Sequence, residues 1–487
     1  MFLRRPTSYI YVRIIEIEKK RNIVVVIIYF FIFVKYFNNK INSMANYSFM
    51  SMLKKYVSAS VLLLIATVCA LVCANSSIKE YYFDFWQSIV SVSIGGFNFF
   101  SHNGHDMTLM QVINDFLMAL FFLSVGLEIK REFLVGDLSS PKKAMLPIIG
   151  ACGGMLFPVL VFWLLCPGDA DMQRGIAIPM ATDIAFSLGV LAVFSTRVPT
   201  GLKVFLAALA VADDLGGIIV IALFYTSELH TAFLLLSLLC VVVMVAGNYF
   251  RVFSKAFYLL TGLVLWYAML NSGIHATIAG VITAFCVPST LQNGTGYYLK
   301  RIKENISSFP VINAGKKSTI ILSHEEINKL KSVESAADKL ISPLQHLEDG
   351  LHALIGYVVI PLFAFANIGV DLSEMDFSSL VSGVGMSVMA GLVVGKFVGV
   401  LLFAWVAVKC KIVSLPSGAD WKSFAGVCAL CGIGLTVSIF IADLSYSPLP
   451  VKGAELLGQA KLGILCGSFI SAILGCVLLQ LFLPKNK

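Results

Sequence analysis

Apolar stretches of about twenty residues recur along this chain from Val57 to about residue 483, and their length constrains the fold more than any other feature. About 20 helical residues cross the hydrocarbon layer of a bilayer. With no water in that layer, every backbone N–H and C=O must be bonded internally, so such stretches fold as helices. The spacing predicts spans near 57–75, 109–129, 144–166, 174–194, 202–225, 230–249, 256–270, 273–287, 349–366, 378–408, 423–443 and 459–483. Only 13% of the residues are charged and 58% are hydrophobic, whereas a soluble domain carries about 25% charged residues. That shortage excludes a soluble enzyme, a disordered chain and a disulfide scaffold. The expected fold is an all-α polytopic membrane protein of about twelve transmembrane helices, with the lipid bilayer as partner. The net charge of +8 is scattered over loops and both termini. It fits cytoplasmic loops rich in Lys and Arg and requires no nucleic acid.

Three regions stand apart. Residues 1–50 are rich in Ile, Asn, Lys, Tyr and Phe, and their one apolar run, Ile23–Val34, is short for a span. They read as a dispensable extension or a mis-called start, with Met44 as the alternative start, followed by one membrane domain over 51–487. Around 90–99, alternating residues about Gly95-Gly96 read as an external β-hairpin. A lone hairpin is marginal, so a second subunit is the expected partner. The loop at about 288–345 holds eight Lys and Arg residues between Lys300 and Lys339 and is placed in the cytoplasm. Within it Ser323 and Glu326 form a capping box ahead of a surface helix. With twelve spans, this loop, the Lys130–Arg131 loop and both termini fall on the cytoplasmic side. Cysteines lie mostly within apolar runs as small packing residues, and the lone Cys428/Cys431 pair is weak as a metal or redox signal.

A few charges sit where lipid should be. Asp183 lies in Ile178-Pro-Met-Ala-Thr-Asp183, Asp213 and Asp214 in Leu209–Gly216, and Lys396 in Gly391–Gly399. Each costs about 2.5–3.5 kcal/mol at mid-membrane, so function and pairing are the default reading. One Lys cannot neutralise three Asp, which leaves room for a cation or protons. Neighbouring helix residues point about 100° apart, so one of Asp213 and Asp214 can hold Lys396 while the other faces an ion. A cation and protons then compete for the same oxygens, and a site opened alternately to each side supports antiport. Two spans look broken, one by Pro179 and one by Gly432 and Gly434. Unwound backbone is tolerated in a membrane where it is buried or lines a cavity. Its helix ends carry partial charges that Asp183 and Lys396 would offset. At the inner end of the second span, Glu128 and Glu132 share a helix face and Arg131 can pair with either, which makes an ionisable mouth or a snorkelling interface cluster.

Gly126–Glu132, Ala181–Phe186, Ala212–Gly216, Ser272–Thr277, Pro361–Asn367, Gly395-Lys396, Cys431–Gly434 and Ala460–Gly463 follow one another in an order that closely resembles the NhaA family of sodium/proton antiporters. The resemblance covers about 56–485. This family is itself one of the cases from which the rule of interrupted helices in paired halves was drawn. The resemblance implies inverted repeats with two discontinuous crossing helices. It also implies an electrogenic, pH-regulated Na⁺(Li⁺)/H⁺ antiporter of the bacterial inner membrane, with no cofactor. Asp214 then matches the principal Na⁺ and H⁺ carboxylate, and Asp213 the neighbour that pairs with Lys396. Thr182 and Asp183 match broken-helix positions. Glu128, Arg131, Glu132, Glu348 and His275 match residues linked to pH activation, although a single His at a helix start is by itself an ordinary capping residue. A homodimer through the 90–99 hairpin is also implied. The chain departs from the pattern in its first 50 residues and in its longer 288–345 loop.

The alternative is a sodium-coupled symporter of a small organic anion, which would need a larger site with more cationic groups than Lys396 alone. An enzyme is not expected. Gly391–Lys396 has three residues between its glycines where a phosphate loop has four, and Phe397 stands in place of Ser or Thr.

Overall fold

A computed structural model describes residues 59–483 apart from 92, 95–96, 99, 103–104, 137, 167–168, 195–196, 225–228, 292–293, 309–322, 374–379, 382 and 451. Residues 1–50, with the run Ile23–Val34 and Met44, lie outside the described residues. The helices are α1 (Ala59–Ala74), α2 (Lys79–Trp86), α3 (Leu109–Leu134), α4 (Pro141–Leu165), α5 (Ala170–Met180), α6 (Ile184–Val193), α7 (Thr200–Phe224), α8 (Thr231–Tyr249), α9 (Lys255–Leu270), α10 (Ile278–Cys286), α11 (Thr295–Ser307), α12 (His324–Asp338), α13 (Pro343–Asn367), α14 (Gly383–Lys409), α15 (Trp421–Leu430), α16 (Leu435–Tyr446) and α17 (Gly453–Phe482). Among the described residues, α3, α4, α7, α8, α13, α14 and α17 are each long and apolar enough to cross a membrane. Counting each of three bent pairs as one span gives ten. The shorter apolar helices α9 and α10 fall where the sequence predicts two more. Short antiparallel pairs, Ser93–Ile94 with Phe97–Asn98 and Ser101–His102 with His105–Asp106, precede α3.

α3 divides the molecule because three of its faces are apolar. Ala119, Leu123 and Leu127 pack into a smaller core with α8, α9 and α10. Ile113, Met118 and Phe122 join the main core with α1, α4 to α7 and α13 to α17. Val125 and Ile129 meet α7 through Ala208 and Val211. In a bilayer, helices associate through close packing of small residues. The α4–α14 pair follows that rule: a Cβ at Gly153 would overlap the Gly399 carbonyl, and one at Gly395 would come within 2.7 Å of Pro158 Cα. α14 carries Lys396 at the end of a π-turn, Gly391–Gly395, where the ladder of backbone bonds is already loosened.

The 288–345 segment contains α11 and α12, which pack on each other. The capping box is present: Ser323 N–H donates to Glu326 Oε2 at 2.7 Å, and Glu326 N–H donates to Ser323 Oγ at 3.3 Å. Helix α11 is not among the elements predicted above, although Tyr298, Leu299, Ile302 and Ile306 recur at helical spacing.

Candidate functional site

The two broken spans meet where the sequence interrupts them. α5 and α6 bend by 43° across 181–183, and α15 and α16 by 44° across 431–434. Pro179 lies in the last turn of the 3₁₀ segment Arg174–Met180 and packs on α14, where a Cβ at Gly391 would come within 2.7 Å of Pro179 Cβ. Gly434 lets the breaks touch, and Gly432 lets the second break lie against α14. A Cβ at Gly434 would lie 2.9 Å from the Ala181 carbonyl and overlap Ser438 Oγ, and one at Gly432 would overlap the Leu392 carbonyl. Across this contact Asp183 N–H donates to the Ile433 carbonyl at 2.6 Å.

Asp183 is buried and fully bonded. Its Oδ1 accepts from Phe186 N–H at 3.0 Å, which caps α6. Its Oδ2 accepts from the N–H and hydroxyl of Thr436, at 3.1 and 2.6 Å, at the start of α16. One carboxylate thus serves two helix N-termini, where free N–H groups and the helix dipole both favour negative charge.

Asp213 and Asp214 sit mid-helix on α7 and meet different surroundings. Asp213 Oδ2 pairs with Lys396 Nζ, and Lys396 is completely buried. Thr182 Oγ1 lies 2.8 Å from Asp213 Oδ2 and 2.8 Å from the Cys431 carbonyl, and its one hydrogen serves one of these acceptors at a time. Asp214 is 3% exposed. Neither of its oxygens has a hydrogen-bond partner among the described residues, and Asp213 Oδ1 has none either. Asp213, Glu128 and Asp183 act on Asp214 with like charge and Lys396 with opposite charge. The arrangement is a buried carboxylate whose negative charge is not matched locally, beside one that is matched. Three free carboxylate oxygens there can take a cation or protons.

The five residues expected to govern pH response divide into two places. Arg131 Nε donates to Glu348 Oε1 at 2.7 Å, and its Nη2 lies 2.9 Å from Glu132 Oε1. Glu128 is within electrostatic reach of all three and of Asp214. His275 stands elsewhere, in the turn before α10, where Gly273 takes a φ of +89° that suits glycine. Its Nδ1 lies 2.8 Å from Thr277 Oγ1, its Nε2 is 4.0 Å from Asp115 Oδ1, and its ring packs edge-on against Phe440. Asp115 and Glu128 are thirteen residues apart on α3, which is about 20 Å along the axis.

Residues 50–479 match the family model described as Na⁺/H⁺ antiporter 1. The chain belongs to that family. Among curated members, the Na⁺/H⁺ antiporter NhaA of Phocaeicola vulgatus is 51% identical over 442 residues, covering 91% of this chain and 97% of that one. The proteins of the same name from Bacteroides thetaiotaomicron and Shewanella loihica are 48% and 40% identical, covering 92% and 88% of this chain and 99% and 96% of theirs. Family membership and the long apolar helices make the chain a multi-pass membrane protein, and its curated relatives are named as antiporters.

In this family member, the sequence reading passes over three further charges at span ends. Asp115 on α3 and Lys461 on α17 each interact electrostatically with Asp443 on α16. The signal was available, since each is an ionisable group in or beside an apolar run, the pattern that singles out Asp183. Asp443 and Lys461 fall close to expected interface positions, where charge is ordinary.

Proposed function

We propose that this protein is a secondary Na⁺/H⁺ antiporter that also accepts Li⁺, exchanging cytoplasmic Na⁺ for external protons at Asp214. The observation that carries this reading is the pair of buried Asp214 oxygens without partners among the described residues, next to an Asp213 already matched by Lys396. An unpaired buried charge is costly, so Asp214 calls for Na⁺ or a proton. The two compete for the same oxygens, and alternating exposure of the site turns competition into exchange. Asp213 and Thr182 complete the ion's surroundings through the free Oδ1 and the hydroxyl. Asp183 holds the two half-helices at the crossing.

The same reading includes twelve spans in inverted repeats over 51–487, with 1–50 dispensable. It places the protein in the bacterial inner membrane with both termini cytoplasmic, and a homodimer joined through the hairpin. Exchange is electrogenic, moving more protons than Na⁺. It is regulated by pH through Glu128, Arg131, Glu132 and Glu348, whose charges reach Asp214 by way of Glu128, and through His275 at the opposite end of α3.

The test is dequenching of a pH-sensitive dye in everted vesicles on addition of Na⁺, Li⁺ or K⁺, from mildly acid to mildly alkaline pH. Dequenching with Na⁺ and Li⁺ but not K⁺ is expected. No response to Na⁺, or an equal response to K⁺, would contradict the proposal.

A further inference from the structure

A second polar network lies at the end of α3 away from Arg131. Asn114 Nδ2 donates to Asp443 Oδ2 at 2.7 Å, Asn367 Nδ2 donates to Asn114 Oδ1 at 2.8 Å, and Ser447 Oγ donates to Asp443 Oδ1 at 2.6 Å. The Asn114 amide nitrogen donates to Asp443, so its carbonyl is left to accept from Asn367. Asn114 and Asn367 are buried. Asp115 beside Asn114 and Lys461 on α17 are the charged groups acting on Asp443, and His275 faces Asp115. Three residues before Asp443 on α16, and hence on the same side of the helix, the buried Phe440 ring packs against Phe122, Phe363 and His275.

The network joins α16 to α3 and α13, and α16 is also the helix whose first turn holds Asp183 through Thr436. Thr436 and Asp443 are seven residues apart, about 10 Å. One helix thus links the network to the crossing. Asp214 has Glu128, on the Arg131 side of α3, among its charged neighbours.

Resting on the antiport reading above, we propose that Asn114, Asn367 and Asp443 are positioning residues that form a latch, holding α16 closed at the outer end and keeping the exchange site turned toward the cytoplasm. The latch touches no transported ion. It sets which face of the membrane the site opens to.

The experiment measures half-saturating Na⁺ at both faces, in everted and right-side-out vesicles, for Asn114→Ala, Asp443→Ala and Asp443→Asn. Apparent affinity at a face scales with the fraction of protein open to it. Losing a hydrogen bond to a charged group shifts such an equilibrium about tenfold. Both Ala variants should raise half-saturating Na⁺ at the cytoplasmic face and lower it up to about tenfold at the outer face, with maximal rate nearly retained. Asp443→Asn keeps an acceptor oxygen without the charge and should shift less than Asp443→Ala. A general loss of structure would weaken both faces together. Shifts in the same direction at both faces, or none in Asn114→Ala, would overturn the latch. If wild type shows no exchange, the antiport reading falls and the latch with it; wild-type exchange with unshifted variants removes the latch alone.

Discussion

Asp183 and Asp214 look alike in sequence, each an acid in the middle of an apolar span, and the structure gives them opposite surroundings. Asp183 accepts three hydrogen bonds from Phe186 and Thr436. Asp214, equally buried, accepts none among the described residues. The difference follows from where the helices are broken. At a break, free N–H groups gather and satisfy a carboxylate. In the middle of α7 the backbone N–H groups are used within the helix, so a carboxylate there depends on another side chain or on an ion; Asp213 has Lys396, and Asp214 has no hydrogen-bond partner among the described residues. A buried acid at a helix break is thus satisfied by backbone, and one inside an intact helix is not.

The largest effect expected short of the exchange site itself is at Lys396. Lys396→Ala leaves Asp213 buried and unpaired, which typically costs about 3–5 kcal/mol. Thermal unfolding in detergent should show a marked loss of stability, relieved when Asp213→Asn is added. Without that relief, Asp213 would not be the charge Lys396 neutralises. Asp183→Ala should come next, at about 2–3 kcal/mol for a lost cap and its charged hydrogen bonds, read in the same melt, with Asp183→Asn milder because one acceptor oxygen remains. A melt unchanged in Asp183→Ala would erase the contrast with Asp214.

Much of this was legible in the chain. The lengths of the apolar runs gave the helices, Pro179 and Gly432/Gly434 marked the breaks, and the excess of Asp over Lys pointed to an unmatched carboxylate. The residues also placed Asp183 at a helix break, but which of Asp213 and Asp214 holds Lys396 came from the resemblance alone. The particular N–H groups that meet Asp183, those of Phe186 and Thr436, were not legible, since spacing does not say which donors a carboxylate will meet. Nor was the separation of His275 from Glu128, Arg131, Glu132 and Glu348. His275 and Glu348 are distant in sequence from α3, and the packing of α10 and α13 on it decides which end each one meets. The Asn114–Asp443 contact was hidden for the same reason.

A smaller effect is expected at Gly434→Ala, where the new methyl meets the Ala181 carbonyl and Ser438. Overpacking of this kind costs about 1–3 kcal/mol, and it should slow exchange by holding the crossing apart. An unaltered exchange rate would mean the crossing tolerates separation. The smallest is at Asp371, which pairs with Lys79 at 2.9 Å outside the spans. Its hydrogen bond from Ser373 and the Lys79 ammonium hold the carboxyl down to about 2. Because the folded value lies below the ordinary one of about 3.9, the pair stabilises fully above that value and is lost as pH falls toward 2. It should add nothing to pH regulation in the working range. Asp371→Ala should lower stability by less than about 1 kcal/mol and leave the pH profile of exchange in place; a displaced profile would assign it a regulatory part.

The most direct measurement is sodium-driven dye dequenching in everted vesicles carrying Asp214→Asn, matched to wild type for the amount of inserted protein. Loss of all Na⁺-dependent proton flux, with the protein folded and in the membrane, is the predicted result. Undiminished dequenching would show that the ion is held elsewhere and that the unpartnered carboxylate has been misread.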